Sequence, residues 1–142
     1  MAKIVSIEIS AIRHMTEDEK KVEACINALL PPEEREKSKL IKTNTKGHYG
    51  NEITYMKLAE VSDPERVGSF ILNNLDEYSK NIISMTAEQR IEGKKLYIRL
   101  HKHLLLDNKL VISDSDEAVR VAIKFTSEES LKKTLEELRK RR

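Results

Sequence analysis

Two histidines, His101 and His103, stand two residues apart in a stretch that reads as a strand, a spacing that turns both imidazoles to one side and can hold a metal ion. No third ligand follows at a spacing that would complete the site, so a polar strand end or a phosphate contact is the plainer reading. Asp114, Asp116 and Glu117 gather carboxylates of the kind that a two-metal nuclease places on strand ends. They lack the glycine and ligand series of a calcium loop, and a turn capped by its own side chains explains them better. Cys25 shares an apolar helical stripe with Val22, Ile26 and Leu29, where a buried structural thiol is expected rather than a nucleophile. The most unusual run is Gly47-His48-Tyr49-Gly50-Asn51, which holds two of the four glycines and follows Lys39, Lys42 and Lys46. A cationic strand entering a glycine loop with His48 and Tyr49 can hold a phosphate and stack a base; a plain hairpin turn accounts for the run equally.

The cations are unevenly placed. The formal net charge is only +2, yet residues 131–142 carry six cations against two anions, and residues 35–46 and 94–109 each carry five against one. Such clusters on a near-neutral chain fit a polyanion footprint, or an ordinary solvated surface with ion pairs. Charged residues make up 35% and hydrophobic residues 39% of the 142, enough for one domain with a real core. A single cysteine excludes a disulfide framework and cysteine-based zinc sites. No apolar run approaches the roughly 20 residues of a membrane helix, and no signal-peptide block opens the chain, so a reduced, cytoplasmic protein is expected. Phosphate-loop, dinucleotide, serine-hydrolase and zinc-protease motifs are all absent, and no cofactor is implied.

The elements that must position these residues follow from periodicity. Val5, Ile7, Ile9 and Ala11 alternate with polar residues as a half-buried strand. Thr16 and Glu19 read as a capping box before a helix that Pro31-Pro32 ends. Strands are expected over 39–45 and 53–61, and Ser62-Asp63-Pro64-Glu65 starts a second helix. A third helix is expected to break near Thr86 and run to about Ile91, closed by Gly93. Leu96, Ile98 and Leu100 mark a strand, Leu104 to Leu106 a short turn, and Leu110 to Ile112 and Ala118 to Phe125 two more strands. In the last of these, Arg120 and Lys124 share the polar face. Thr126 with Glu129 caps a final helix striped by Leu131, Leu135 and Leu138. Mixed strands and helices with hairpin-like neighbours favour an α+β fold with a mainly antiparallel sheet: one domain, residues 1–126, with 127–142 as its basic helical extension.

Taken together, Thr16 to Glu19 with Val22, the loop Gly47 to Asn51, Leu96-Tyr97-Ile98-Arg99-Leu100, Asp116, and Val119-Arg120-Val121 through Ile123-Lys124 resemble the archaeal RNA-binding family known as a predicted exosome subunit. The resemblance spans residues 4–125. Glu52 stands where the family has proline, and of its Asp-Lys-Gln triplet only Lys102 remains. The resemblance implies a ribosomal-protein-like α+β fold, a homodimer, exosome or ribosome components as partners, and no enzymatic activity. It carries Lys42, Lys46, His48, Arg99, Lys102 and Arg120 over as RNA contacts. Lys39 and Tyr49 join them from the cationic strand and its loop.

The leading expectation is therefore a non-enzymatic RNA-binding protein that neutralises phosphates with the 39–46 strand, the 99–103 strand and the basic tail. An alternative is an assembly subunit whose final helix docks on a partner. A third is a metal-dependent hydrolase that joins His48, His101 or His103 to the carboxylates of 114–117.

Overall fold

The computed structural model describes residues 3–35, 39–46, 50, 52–115 and 117–140. Its first strand, β1 (Ile4–Arg13), keeps the expected buried face at Ile7, Ile9 and Ala11, but Val5 is exposed and Ile4 is buried in its place, because the ladder to the last strand is irregular between Ile4 and Ser6. The helix α1 (Glu19–Asn27) starts one residue after Asp18, whose carboxylate accepts the Lys20 N–H at 2.9 Å. Asp18, not Thr16, is thus the cap, because only its side chain reaches back to a free amide of the first turn. A short α2 (Pro32–Arg35) precedes the paired strands β2 (Lys39–Lys46) and β3 (Glu52–Glu60). Of the glycine loop between them only Gly50 is described, at φ +79°. His48 and Tyr49 lie outside the described residues.

The start of α3 (Pro64–Asn74) is as expected: the Asp63 carboxylate accepts the Arg66 N–H at 3.1 Å, and Pro64 occupies the first turn. The helices α4 (Glu77–Met85) and α5 (Ala87–Arg90) divide at Thr86, again as read from the sequence. A short strand β4 (Ile91–Glu92) then replaces the expected last helical turn. Ile91 pairs with Leu96 and Glu92 with Lys95, so Gly93 (φ +62°) opens a two-residue hairpin turn and caps no helix. After β5 (Lys95–His101), α6 (Lys102–Leu105) takes the place of the expected turn. The strand expected near Leu110 shrinks to single bridges, Leu75 to Leu110 and Leu100 to Ile112. The last strand is β6 (Ala118–Phe125), followed by α7 (Glu128–Lys140). Ser127, whose hydroxyl accepts the Ser130 N–H at 3.1 Å, does the capping expected of Thr126.

The strands form one antiparallel sheet in the order β2-β3-β1-β6-β5-β4, which makes the fold α+β as expected. Helices α1 and α3 pack on β1, and α7 lies against α4 and β6. Gly68 lets α3 close on β1, since a Cβ there would stand 2.3 Å from Ile4 Cδ1 and 3.2 Å from Ile7 Cδ1. No described helix is long and apolar enough to cross a membrane.

The final helix is part of the core. Leu131 and Leu138 are 1% and 3% exposed, inside the same hydrophobic cluster as Phe125 and Ile83. Its stripe is therefore occupied within the chain, which corrects the expectation that it is held out to a partner. Leu131→Ala is expected to lower unfolding free energy by about 3 kcal/mol, read as a lower urea midpoint; an unchanged midpoint would show that α7 is merely appended.

Candidate nucleic-acid interface

Alternation in an antiparallel sheet sends successive side chains to opposite faces, and directly paired residues share a face. Leu96, Ile98 and Leu100 of β5 therefore join Val119, Val121 and Ile123 of β6 and Ile7 and Ile9 of β1 under the helices. The partners they leave outward form rows across the sheet. Lys95 pairs with Lys124, which pairs with Ser6; Tyr97 pairs with Ala122, which pairs with Glu8. Arg99 pairs with Arg120, Arg120 with Ser10, and Ser10 with Lys57. The rows stand about 7 Å apart along the strands.

Two rows thus set cations directly opposite each other, Lys95 against Lys124 and Arg99 against Arg120. Like charges in this position oppose strand pairing by roughly 0.2–1 kcal/mol. Among the described residues, none of these four has an ion-pair partner. The nearby Glu8 carboxylate is engaged with Lys57 at 2.6 Å, which holds that ammonium above its ordinary pKa. Between the rows lies a hollow of about 360 Å³ lined by Glu8, Ser10, Lys95, Tyr97, Arg99, Arg120 and Ala122 among others. Tyr97 and Arg99 also line a second hollow of about 270 Å³, with Gln89, Arg90 and Asp114.

Arg99 and Arg120, both expected from the sequence, are thus brought side by side. Lys95, Lys124 and Tyr97 were missed as site residues, although the outward alternation of both strands carries them; the neighbouring of β5 and β6 is what periodicity cannot supply. The β2 lysines go elsewhere. Lys42 pairs with Met56 across the ladder, which puts it on the helix side, where it forms ion pairs with Glu23 and, at 3.8 Å, Glu19. Lys46, two positions on by twos, shares that side, and Lys39 is exposed at the start of the same edge strand.

Lys102 is corrected outright. Its residue is 3% exposed, and its ammonium donates to Ile12 O at 2.9 Å and to both Glu17 oxygens at 3.1 Å, with Glu117 at 3.5 Å. An amine bound on all sides by the protein cannot reach a phosphate. His14 stands 3.5 Å from Glu117, so His14, Glu17 and Glu117 are a group able to hold a metal, with the Lys102 ammonium between the two carboxylates. Burial pushes the Glu17 carboxyl up, but the His14 N–H and the Lys102 ammonium outweigh it and hold the group below its ordinary 4.5.

The other chemistry-bearing residues have plain structural partners. Cys25 is buried, donates to Lys102 O at 3.1 Å, and its thiol is pushed up by burial. His101 Nδ1 accepts the Leu104 N–H at 3.4 Å as the cap of α6, and His103, already on that helix, has its ring 5.9 Å away. The acidic turn is tied by serines, Ser115 N–H to Ser113 Oγ and Glu117 N–H to Ser115 Oγ, while Asp114 pairs with Arg90 at 3.3 Å. Asp116 lies outside the described residues.

Residues 6–125 match the family model described as RNA binding. An uncharacterized protein of Methanocaldococcus jannaschii is 30% identical over 124 residues, 84% of this chain and 83% of that protein. A DUF54 crystal structure from Sulfolobus solfataricus is similar at TM-score 0.82 and 26% identity, covering 97% of this chain and 100% of that one. Another, from Methanothermobacter thermautotrophicus, shares the fold at TM-score 0.71 and 19% identity over 97% of both chains.

The Lys102 cluster makes acid stability testable. A carboxylate held below 4.5 when folded adds stability above that pH and loses it as pH falls through the lowered value. Urea midpoints from pH 7 to 3 should fall more steeply for the parent than for Glu17→Gln; parallel curves would remove Glu17 from the acid response. Lys102→Met leaves the carboxylate unpaired and should cost about 3–5 kcal/mol at pH 7.

Proposed function

The chain belongs to the RNA-binding family whose model spans residues 6–125, and we propose that it binds RNA through its open sheet face without catalysing a reaction on it. The observation that carries this reading is the pair of like-charge rows. Lys95–Lys124 and Arg99–Arg120 work against folding and have no ion-pair partner among the described residues, and three of the four, Lys95, Arg99 and Arg120, line one hollow. A polyanion supplies the missing counter-charge: each phosphate gained by a cation releases condensed counterions, and the planar guanidinium groups grip phosphate oxygens in pairs. Ser10, between Arg120 and Lys57, adds a neutral hydroxyl to the same row.

Service as an accessory factor in archaeal RNA processing, beside exosome or ribosome components, belongs to this proposal, as does a homodimeric state. Both rest on the family resemblance alone. The relatives named above are themselves described only as uncharacterized or DUF54 proteins, so RNA comes from the family model and not from them.

The test is fluorescence anisotropy of a mixed-sequence single-stranded RNA across 50–200 mM salt. Arg99→Gln with Arg120→Gln should flatten the slope of log affinity against log salt by about 1.4, two contacts at roughly 0.7 each. Lys42→Gln, on the opposite side, should leave it unchanged. The double variant should also be no less stable than the parent, because it relieves a repulsion of roughly 0.2–1 kcal/mol. A parental slope in the double variant would overturn the assignment.

A further inference from the structure

We propose that the Tyr97 row is a nucleotide subsite: an unpaired base lies on the Tyr97 ring over Ala122, and phosphates further up and down the same strand fall on the Lys95–Lys124 and Arg99–Arg120 pairs. This rests on the RNA-binding reading and narrows it from RNA of any shape to single strands.

The register dictates the arrangement. Tyr97 is opposite Ala122, whose single methyl leaves the β6 side of the ring uncovered, and the next residue across is Glu8. The hollow of about 360 Å³ lies at that gap, within the roughly 300–1,000 Å³ range of small-molecule sites. Tyr97 is 40% exposed, in a chain with four tyrosines, two phenylalanines and no tryptophan. A half-exposed ring between two unpaired cationic rows is a poor use of an aromatic for folding and a good one for stacking.

Spacing supports the same occupant. Lys95 and Arg99 on β5, and Lys124 and Arg120 on β6, are each four residues apart, or about 13 Å along an extended strand, with Tyr97 midway. A strand of RNA laid along β5 thus meets cation, aromatic and cation in turn. In a duplex every base has both faces stacked on its neighbours and none to offer; an unpaired base has a free face for the ring.

The experiment titrates the full chain with a single-stranded RNA hexamer and with a duplex of the same sequence. It reads anisotropy and the tyrosine emission, which no tryptophan obscures. Tyr97→Leu should weaken hexamer binding about tenfold and remove most of the quenching, while Tyr97→Phe keeps affinity near the parent's. Ala122→Ile, a strand-favouring residue that fills the hollow, should weaken it similarly. Both losses should leave the salt slope unchanged, since no phosphate contact is removed. Parental hexamer affinity in Tyr97→Leu and Ala122→Ile, or duplex binding as tight as hexamer binding, overturns the subsite. If Arg99→Gln with Arg120→Gln still weakens binding in that case, the RNA-binding reading stands without it; if that variant also binds like the parent, both fall.

Discussion

A slip of one residue between β5 and β6 would turn Leu96, Ile98 and Leu100 into water and drive Lys95, Tyr97 and Arg99 beneath the helices. The register of the central strands is therefore held by the apolar face, where Ile98 against Val121 and Leu96 against Ile123 bury almost all of their surface. Each buried side chain of this kind contributes roughly 1.5–3 kcal/mol, several times the repulsion between opposed cations on the other face. The core can thus impose a charge arrangement that the open face would not adopt by itself. The outward residues are in effect printed at fixed spacing by the inward ones.

Lys102 plays a different part, as an internal counter-ion. It opens α6 directly after β5 and reaches across to Ile12 O on β1, Glu17 before α1, and Glu117 before β6. Three segments that meet at one end of the sheet are so joined by one lysine whose side chain is 4% exposed. A pair of carboxylates with nothing between them would repel, and a cation in that space must come from solvent or from the chain. Here the chain supplies it, and Cys25 donates to the carbonyl of the same residue from the helix above. The cost of desolvating the amine is met by several bonds at once, which is the condition under which a buried ion pair is tolerated.

Much of this fold was legible in the residues. The alternation of β1, β5 and β6, the Asp63-Pro64 start of α3 and the break at Thr86 are local signals, and each is set within a few residues. The misses are equally physical. Several oxygens compete to cap α1 and α7, and Asp18 and Ser127 win over Thr16 and Thr126 through geometry that types alone do not fix. Gly93 has a positive φ suited to a helix end or a hairpin, and only the pairing of Ile91 with Leu96 decides. Of the candidate site, Arg99 and Arg120 were named from the chain, but Lys42 and Lys102 looked like the same kind of cation. Nothing local reveals that one meets Glu23 of α1 from the edge strand and the other is enclosed by Glu17 and Glu117.

That last distinction explains why cation counts mislead on this protein. A net charge of +2 says little, because cations in very different settings are summed in it. Lys3, Lys42, Lys57, Arg66, Arg90 and Lys102 each face a carboxylate of the same chain, so their charge is largely cancelled where it sits. Among the described residues, Lys95, Arg99, Arg120 and Lys124 have no such ion pair, and register places them two by two. Exposed ion pairs are worth little to stability, so pairing or not pairing a surface lysine is close to neutral for folding. Setting four unpaired cations opposite one another around a half-exposed tyrosine is not neutral, because it costs stability in strands that could carry threonine or serine instead. A local choice that conflicts with folding, inside a sheet whose other choices agree with it, is where function is expected to lie.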